Sequence, residues 1–340
     1  MKRWPPALLG LLDVLEAVNA AAHATYARGW RKPVRAAVPV ISVGNIAMGG
    51  TGKTPLVAAL ARRLLAAGCR PAILTRGYRR REKAPVLLWR DREASWEQAG
   101  DEPLLLAREL PEVPIAVDPD RARGAATAVR EAGATHLLLD DGFQHWRLAR
   151  DLDIVVVEAS DPLGATRPRR EHPDALARAD AIVLSRTADR TEAMAAFAVL
   201  GPCAPEARLV ATRLAAVGLH RGDRREPPEA LRGERVLAMA GIASPEGFIH
   251  SLGDLGADVV EMKFFSDHHR YSRRAVDAML EAADAERALL VTTAKDVVKL
   301  PADLRGRVAW LAVEAVPFIG SFDELLAPVL PPAATVESPR

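Results

Sequence analysis

The segment GNIAMGGTGKT, residues 44–54, constrains the fold more than any other part of the chain. A β-branched apolar run, VPVISV, precedes it, and PLVAALARRLLAAG, with apolar residues at helical spacing, follows it. Strand, glycine-rich turn and helix in this order form a phosphate-binding loop, because backbone N–H groups at the helix N-terminus point at the anion. Ala47 stands where the standard motif has its first glycine, and Gly49, Gly50 and Gly52 supply the backbone freedom.

We expect this phosphate loop to bind a nucleotide, with Lys53 contacting the β- and γ-phosphates and the Thr54 hydroxyl ligating Mg²⁺. The strand HLLLD supplies the acidic partner, since it ends in Asp140 and is followed by Asp141. A divalent cation offsets the repulsion between adjacent carboxylates. The predicted nucleotide-binding residues are Gly49, Gly50, Thr51, Gly52, Lys53 and Thr54, and the predicted metal ligands are Thr54, Asp140 and Asp141.

Beyond the loop, short β-branched runs alternate with helical patterns, which is typical of a doubly wound α/β domain with a mainly parallel sheet. Residues 206–232 are polar and arginine-rich and predict a linker with room for a short hairpin; a second α/β alternation follows. We divide the chain accordingly into an N-terminal amphipathic helix (1–32), a phosphate-loop domain (33–205), the linker, a second α/β domain (233–330) and a disordered tail (331–340).

The N-terminal segment leaves two interpretations open. At helical spacing, one face carries apolar residues and another carries polar ones, and tryptophan with basic residues stands at both ends. The apolar face consists of Leu8, Leu11, Leu15, Val18 and Ala22, and the polar face of Asp13, Glu16, Asn19 and His23. Such a helix lies on a membrane surface or packs on the core of its own protein. No stretch reaches the ~20 apolar residues of a membrane span, and a net charge of +2 gives no reason to expect nucleic-acid binding.

Two classes of function fit the phosphate loop. A regulatory or partitioning ATPase with a deviant Walker loop carries an additional lysine before the glycine pair, where this chain has Met48. A small-molecule kinase needs a base near the acceptor hydroxyl, Mg²⁺ ligands and cations on the transferred phosphate. Candidate bases are Asp101 in AGDEP, His145 in GFQH, and His268 or His269 in FFSDHHRYS.

The motifs SVGNIAMGGTGKTP, LTRGYRR, GDEPLLLAREL, LLLDDGFQHWRLARDLDIVVV, GIASPEGFIHSLGDLGA, DHHRYS and TTAKDVVKL run through nearly the whole chain. In these motifs the chain resembles the tetraacyldisaccharide 4'-kinases. The resemblance implies transfer of the ATP γ-phosphate to the 4'-hydroxyl of a tetraacylated glucosamine disaccharide 1-phosphate, forming lipid IVA at the cytoplasmic face of the inner membrane. It also implies two α/β/α sandwich domains joined by a two-stranded linker, with the lipid substrate and the membrane surface as partners and without nucleic acid or an obligate protein partner.

The resemblance also implies roles for single residues. Asp101 matches the catalytic base, assisted by His268 from the second domain, and Lys53 matches the catalytic lysine of the loop. The pocket motifs contain Asn45, Arg76, Tyr78, Gln144 and His145, together with Arg170 and Glu171. The last two residues stand in DPLGATRPRREHP, which is shorter than the glycine-rich stretch of the family, and Ser244 replaces an expected asparagine.

Overall fold

The computed structural model of the protein describes residues 6–331 except 79, 91, 93, 167, 243–244 and 267–268, and it leaves out the side chains of residues 6–13 and 15. In that part of the chain the mainly parallel α/β fold expected from the sequence is confirmed. The predicted tail, apart from residue 331, lies outside the described residues.

The strands are β1 (Val40–Gly44), β2 (Pro71–Thr75), β3 (Val86–Leu88), β4 (Ile115–Val117), β5 (His136–Asp140), β6 (Leu152–Glu158), β7 (Ala181–Ser185), β8 (Arg208–Arg221), β9 (Arg224–Glu226), β10 (Arg235–Ala240), β11 (Asp258–Phe264), β12 (Leu289–Thr293) and β13 (Ala309–Ile319). The α-helices are α1 (Pro6–Ala27), α2 (Lys53–Ala66), α3 (Trp96–Ala99), α4 (Asp101–Glu109), α5 (Arg121–Ala132), α6 (Arg190–Leu200), α7 (Glu246–Asp254), α8 (Arg273–Ala285), α9 (Ala294–Val297) and α10 (Phe322–Leu326). Short 3₁₀ helices cover Pro173–Arg178, Pro228–Leu231 and Arg305–Arg307.

Within the described residues these strands form one continuous sheet in the order β11-β10-β12-β13-β8-β7-β6-β1-β5-β2-β4-β3, and β9 pairs with β8. One parallel part of the sheet runs in the order β8-β7-β6-β1-β5-β2-β4. A second parallel part runs in the order β11-β10-β12-β13. The two parallel parts meet at the long antiparallel pair of β8 and β13. The division into domains stays a prediction, because a single hydrogen-bonded sheet passes through both parts.

Local sequence explains the main helices. Leu56, Leu60 and Leu64 recur at helical spacing on α2, and all three are buried in the cluster that includes Ile41 and Val43 of β1. Helix α5 begins after Asp120, whose carboxylate accepts hydrogen bonds from the N–H groups of residues 122 and 123. These two helices cover opposite faces of the sheet around β1. Because the strands there are parallel, the residues that follow them gather at the carboxyl edge of the sheet.

Tertiary pairing shapes several elements. The segment 206–232, predicted as a linker with room for a short hairpin, contains the 14-residue strand β8, which turns back into β9 as an antiparallel hairpin. Strand β8 is half-buried because it also pairs with β13 and with β7. Strand β12 ends at Thr293, which is also the N-cap of α9: the Thr293 hydroxyl accepts a hydrogen bond from the N–H of Asp296. The C-terminal helix α10 packs Phe322 and Leu325 into the cluster built on α2. Among the described residues, no helix has both the length and the hydrophobicity needed to cross a bilayer.

Candidate active site

The phosphate loop joins β1 to α2 as the sequence predicts. Gly52 precedes the helix in the left-handed conformation, with φ 84°, and Gly49 has φ 108°, so both positions need the freedom of glycine. Because Gly52 has no side chain to cap α2, its first turn presents backbone N–H groups toward the loop. Lys53 and Thr54 occupy that first turn, which is the arrangement required to bind an anion.

The back of the loop is braced by buried polar groups. Asn45, fully buried, donates from Nδ2 to the Ala47 carbonyl at 2.5 Å and to the Thr51 hydroxyl at 3.0 Å. Ser185 at the end of β7 donates to the Thr51 carbonyl at 2.7 Å. Asn45, expected among the pocket residues, therefore fixes the loop from inside, and Thr51 is buried between two supports.

Asp140 and Asp141 lie at the carboxyl end of β5, next to β1. The turn after them passes close to the loop: a Cβ on Gly44 would lie 2.5 Å from the Phe143 backbone nitrogen, and one on Gly142 would lie 2.7 Å from Leu139 Cβ. Asp141 adopts a left-handed φ of 60°. The two glycines let the turn approach β1, and the turn in turn brings Asp141 Oδ1 within 3.4 Å of Lys53 Nζ.

The two carboxylates have different electrostatic surroundings. Burial raises the pKa of Asp140 to about 7, and the nearby Glu102 and Asp141 carboxylates act in the same direction. Burial would also raise the pKa of Asp141, but Lys53 and Arg170 outweigh it and lower the pKa below its usual range. A buried carboxylate whose ionised form lacks compensation is suited to a cation, since added positive charge would stabilise it. Thr54, also buried, lies in the neighbouring turn of α2.

Asp101 and Glu102 form the first turn of α4, and both face the second parallel part of the protein. The Arg270 guanidinium lies 3.5 Å from Asp101 Oδ1, and Lys295 Nζ lies 3.7 Å from Glu102 Oε1. Arg270 also stacks on the Trp96 ring at 3.2 Å from its centroid. Two basic side chains of the second parallel part, Arg270 and Lys295, thus pair with the two carboxylates of α4. The predicted partner of Asp101, His268, lies outside the described residues.

A family model described as tetraacyldisaccharide-1-P 4'-kinase matches residues 6–330 of this chain. The chain belongs to the tetraacyldisaccharide-1-P 4'-kinase family.

The relatives agree over most of their length. A tetraacyldisaccharide 4'-kinase of Anaeromyxobacter sp. (strain Fw109-5) is 47% identical over 83% of this chain and 78% of its own. One from Paramagnetospirillum magneticum is 46% identical over 82% of each chain. The crystal structure of LpxK from Aquifex aeolicus in complex with ATP has a TM-score of 0.75 and 29% identity, and the match covers 95% of this chain and 98% of that one.

The family match confirms the resemblance drawn from the motifs and the ATP-dependent 4'-kinase activity expected from it. It decides between the two functions that the phosphate loop left open, in favour of the kinase. ATP is accordingly the nucleotide.

In this family member, the pocket residues after the aspartate pair form a chain of polar contacts. Gln144 Nε2 donates to the Asn45 carbonyl at 3.0 Å and to Glu171 Oε1 at 2.8 Å. Arg178 Nη2 donates to Glu171 Oε2 at 2.9 Å. Glu171 is buried and occupied by these two partners, so it holds the segment in place, whereas Arg170 reaches Asp141 Oδ1 at 2.6 Å.

The remaining predicted residues of the kinase differ in exposure. Arg76 and Tyr78 are exposed at the end of β2. His145 is half-buried; burial, and then the charge of Arg121, lowers its pKa to about 4. A histidine with that pKa is neutral at pH 7 and a weak proton acceptor, which disfavours it as the base.

Two arginines at the site were not predicted from the sequence. Arg121 is buried in the first turn of α5, where it interacts with the charges of Arg76, Asp140 and Asp141. Arg186, with φ 54°, follows β7 and lies 4.0 Å from the position of a Cβ on Gly50. The available signal was their place shortly after strands, Arg121 four residues after IAV and Arg186 directly after AIVLS, because residues there gather at the edge that binds ligands.

Proposed function

We propose that the protein transfers the γ-phosphate of ATP, with Mg²⁺, to the 4'-hydroxyl of tetraacylated glucosamine disaccharide 1-phosphate at the cytoplasmic face of the inner membrane. The observation that carries the proposal is a phosphate loop whose Lys53 contacts the aspartate pair, in a member of this family. The reaction forms the bond from O4' to the γ-phosphorus, breaks the bond from that phosphorus to the β,γ-bridging oxygen, and releases ADP.

In this proposal the loop holds the triphosphate. The glycine N–H groups and the α2 N-terminus bind its oxygens, and Lys53 stabilises the negative charge that moves to the leaving group. Asp140, Asp141 and Thr54 fit Mg²⁺, which prefers oxygen ligands, uses one or two carboxylates and takes phosphate oxygens and water for the rest. When bound, the ion neutralises charge on the β- and γ-phosphates.

Asp101 is proposed to accept the proton of the 4'-hydroxyl as the new bond forms. A sugar hydroxyl is a poor nucleophile, so a carboxylate that accepts its proton lowers the barrier, and Asp101 in the first turn of α4 is the proposed group. Arg270 Nη2 lies 3.5 Å from Asp101 Oδ1, so a charged group of the second part of the protein reaches this carboxylate. The family resemblance assigns the assisting role to His268, two positions before Arg270 in the sequence.

The location at a membrane surface is supported by two exposed valines on α1. In a soluble protein the apolar stripe of an amphipathic helix faces the core. Here Glu16 and Asn19 contact the protein, whereas Val14 and Val18 are each 57% exposed. Trp30, 73% exposed, follows the helix among basic residues, as in helices that lie at a lipid interface. Such a helix would hold the protein at the surface in which its lipid substrate lies.

The test is incubation of purified protein with γ-labelled ATP, Mg²⁺ and disaccharide 1-phosphate, with a search for labelled bisphosphorylated lipid. Lys53→Ala should abolish the product, because the fixed positive charge on the β- and γ-phosphates is lost. Lys263→Ala, which removes a half-buried lysine of β11 that pairs with Glu261, is the matched control and should keep full activity. Label released only as inorganic phosphate, or equal lipid labelling by Lys53→Ala, would refute the proposal.

A further inference from the structure

Residues Pro168–Glu171, which we call the arginine segment, lie between helix α1 and the phosphate loop. On the loop side the contacts are made by backbone atoms. Met48 N donates to the Pro168 carbonyl at 2.7 Å, and Arg170 N donates to the Ile46 carbonyl at 2.7 Å. Ala47 pairs with Arg169 as an antiparallel bridge. The arginine segment is therefore attached to the residues that lead into the glycines.

On its other side the arginine segment is held by the polar face of α1. Asn19 Nδ2 donates to the Arg170 carbonyl at 2.8 Å, and Arg169 Nε donates to Glu16 Oε1 at 2.9 Å. The Glu16 side chain is only 19% exposed, so water screens this ion pair less than a surface pair. Both contacts join residues more than 150 positions apart in the sequence.

Arg170 is thus bound on both sides of its Cα atom, through its N–H to Ile46 and through its carbonyl to Asn19. These two bonds orient the flanking peptide planes and so set the direction of the Cα–Cβ bond, because the backbone has only two free dihedral angles per residue. From there the guanidinium reaches Asp141 Oδ1 at 2.6 Å, and Asp141 lies 3.4 Å from Lys53 Nζ. One side chain of α1 is therefore three contacts away from the phosphate-binding lysine.

We propose that Asn19 and Glu16 are positioning residues for phosphoryl transfer: through the arginine segment, α1 sets the place of the Arg170 guanidinium beside Asp141 and Lys53. The inference rests on the proposed kinase reaction and extends it. The outer face of α1 binds the lipid surface, and its inner face holds the catalytic site in the arrangement that works there. A helix that anchored the protein and did nothing else would need no such contacts with the site.

The test uses Asn19→Asp, which keeps the size of the side chain but removes the N–H donor, and Asn19→Ala. On detergent-dispersed substrate, where membrane binding is not needed, each should lower kcat about fivefold, the factor that corresponds to one hydrogen bond of about 1 kcal/mol. The KM for ATP should stay unchanged, since no described contact joins Asn19 to the loop glycines. Adding Glu16→Ala should increase the loss, because the second contact with the arginine segment is then removed.

A double-mutant cycle with Arg170→Ala separates positioning from a general structural role. If Asn19 acts through Arg170, Asn19→Asp should cause no further loss of kcat once the guanidinium is gone. Losses that multiply in the double variant, or an unchanged kcat in both single variants at position 19, would overturn the proposal.

Val18→Asp, on the outer face, is the control. It should leave kcat on detergent-dispersed substrate unchanged and weaken binding to vesicles that contain anionic lipid. Vesicle binding unaffected by Val18→Asp would contradict the membrane surface of the proposed function, whereas the cycle at positions 19 and 170 would still test the inference. Absence of any lipid kinase activity in the unsubstituted protein would contradict the proposed function itself.

Discussion

Glu109, the last residue of α4, offers a quantitative test of how burial affects this fold. Its side chain is 11% exposed, and it shares Arg62 with Glu314: Arg62 Nη2 lies 3.8 Å from Glu109 Oε2, and Nη1 lies 3.4 Å from Glu314 Oε1. Burial raises the pKa of Glu109 from 4.5 to about 7, Arg62 opposes the increase, and Glu314 adds to it. One guanidinium is thus shared by two carboxylates, and it does not offset the burial of Glu109.

The raised pKa fixes the sign of the pH dependence. Below pH 4.5 the carboxyl is protonated in the folded and the unfolded chain, so it costs nothing. As the pH rises toward about 7, the unfolded chain releases the proton first, and the stability of the fold decreases. At about 1.4 kcal/mol per pKa unit, the full loss is about 3 kcal/mol, and it is complete above about pH 7.

Replacing Glu109 by glutamine removes the titration and keeps the shape of the side chain. The free energy of unfolding of Glu109→Gln, relative to the unsubstituted protein, should therefore increase by about 3 kcal/mol between about pH 4.5 and pH 8. Urea unfolding at several pH values measures it, because the contributions of all other groups cancel in the difference. Glu112→Gln, at an exposed position of the same region, should show no such change. A difference between Glu109→Gln and the unsubstituted protein that is flat with pH would refute the reasoning.

Three further predictions concern the site. Asp101→Ala and His268→Ala should each lower kcat by about 10²–10⁴, and the double variant should lose much less than the product, because residues that act as a unit are non-additive; steady-state kinetics with ATP and lipid substrate measures this. Gly44→Ala should destabilise the protein by about 1–3 kcal/mol in urea unfolding, since the new Cβ would meet the Phe143 backbone. Arg186→Ala should raise the KM for ATP about tenfold or more, because a charged hydrogen-bond donor beside Gly50 is lost.

Each of these predictions has a contrary outcome. Multiplicative losses for Asp101→Ala and His268→Ala would indicate independent roles. Gly306→Ala is a steric control for Gly44→Ala, since nothing lies within 4 Å of its Cβ position and its φ is not positive, and equal effects would refute the steric explanation. For Arg186, the exposed Arg190 at the start of α6 is the matched control. A KM for ATP that responds equally to both substitutions would exclude a local contact.

The sequence by itself determined the features that depend on neighbours along the chain. The phosphate loop, the helix after it and the aspartates at the end of β5 follow from glycine conformation, helical spacing and β-branched runs, which act over a few residues. The mainly parallel α/β fold follows from the repetition of these local units. These expectations agree with the structure because local preference and tertiary packing favour the same arrangement.

Tertiary structure decided which distant residues meet. The amphipathic pattern of α1 fits a core helix and a membrane helix equally, and only its docking turns Asn19 inward and leaves Val18 exposed. Asn45 was expected among the pocket residues, but its side chain is turned into the protein and bonded to the loop. Arg270 reaches Asp101 because β8 and β13 pair and bring the second parallel part beside α4. Periodicity states which face of an element is apolar, but the partner of that face depends on the order of strands in the sheet, and that order is set by the packing of the whole chain.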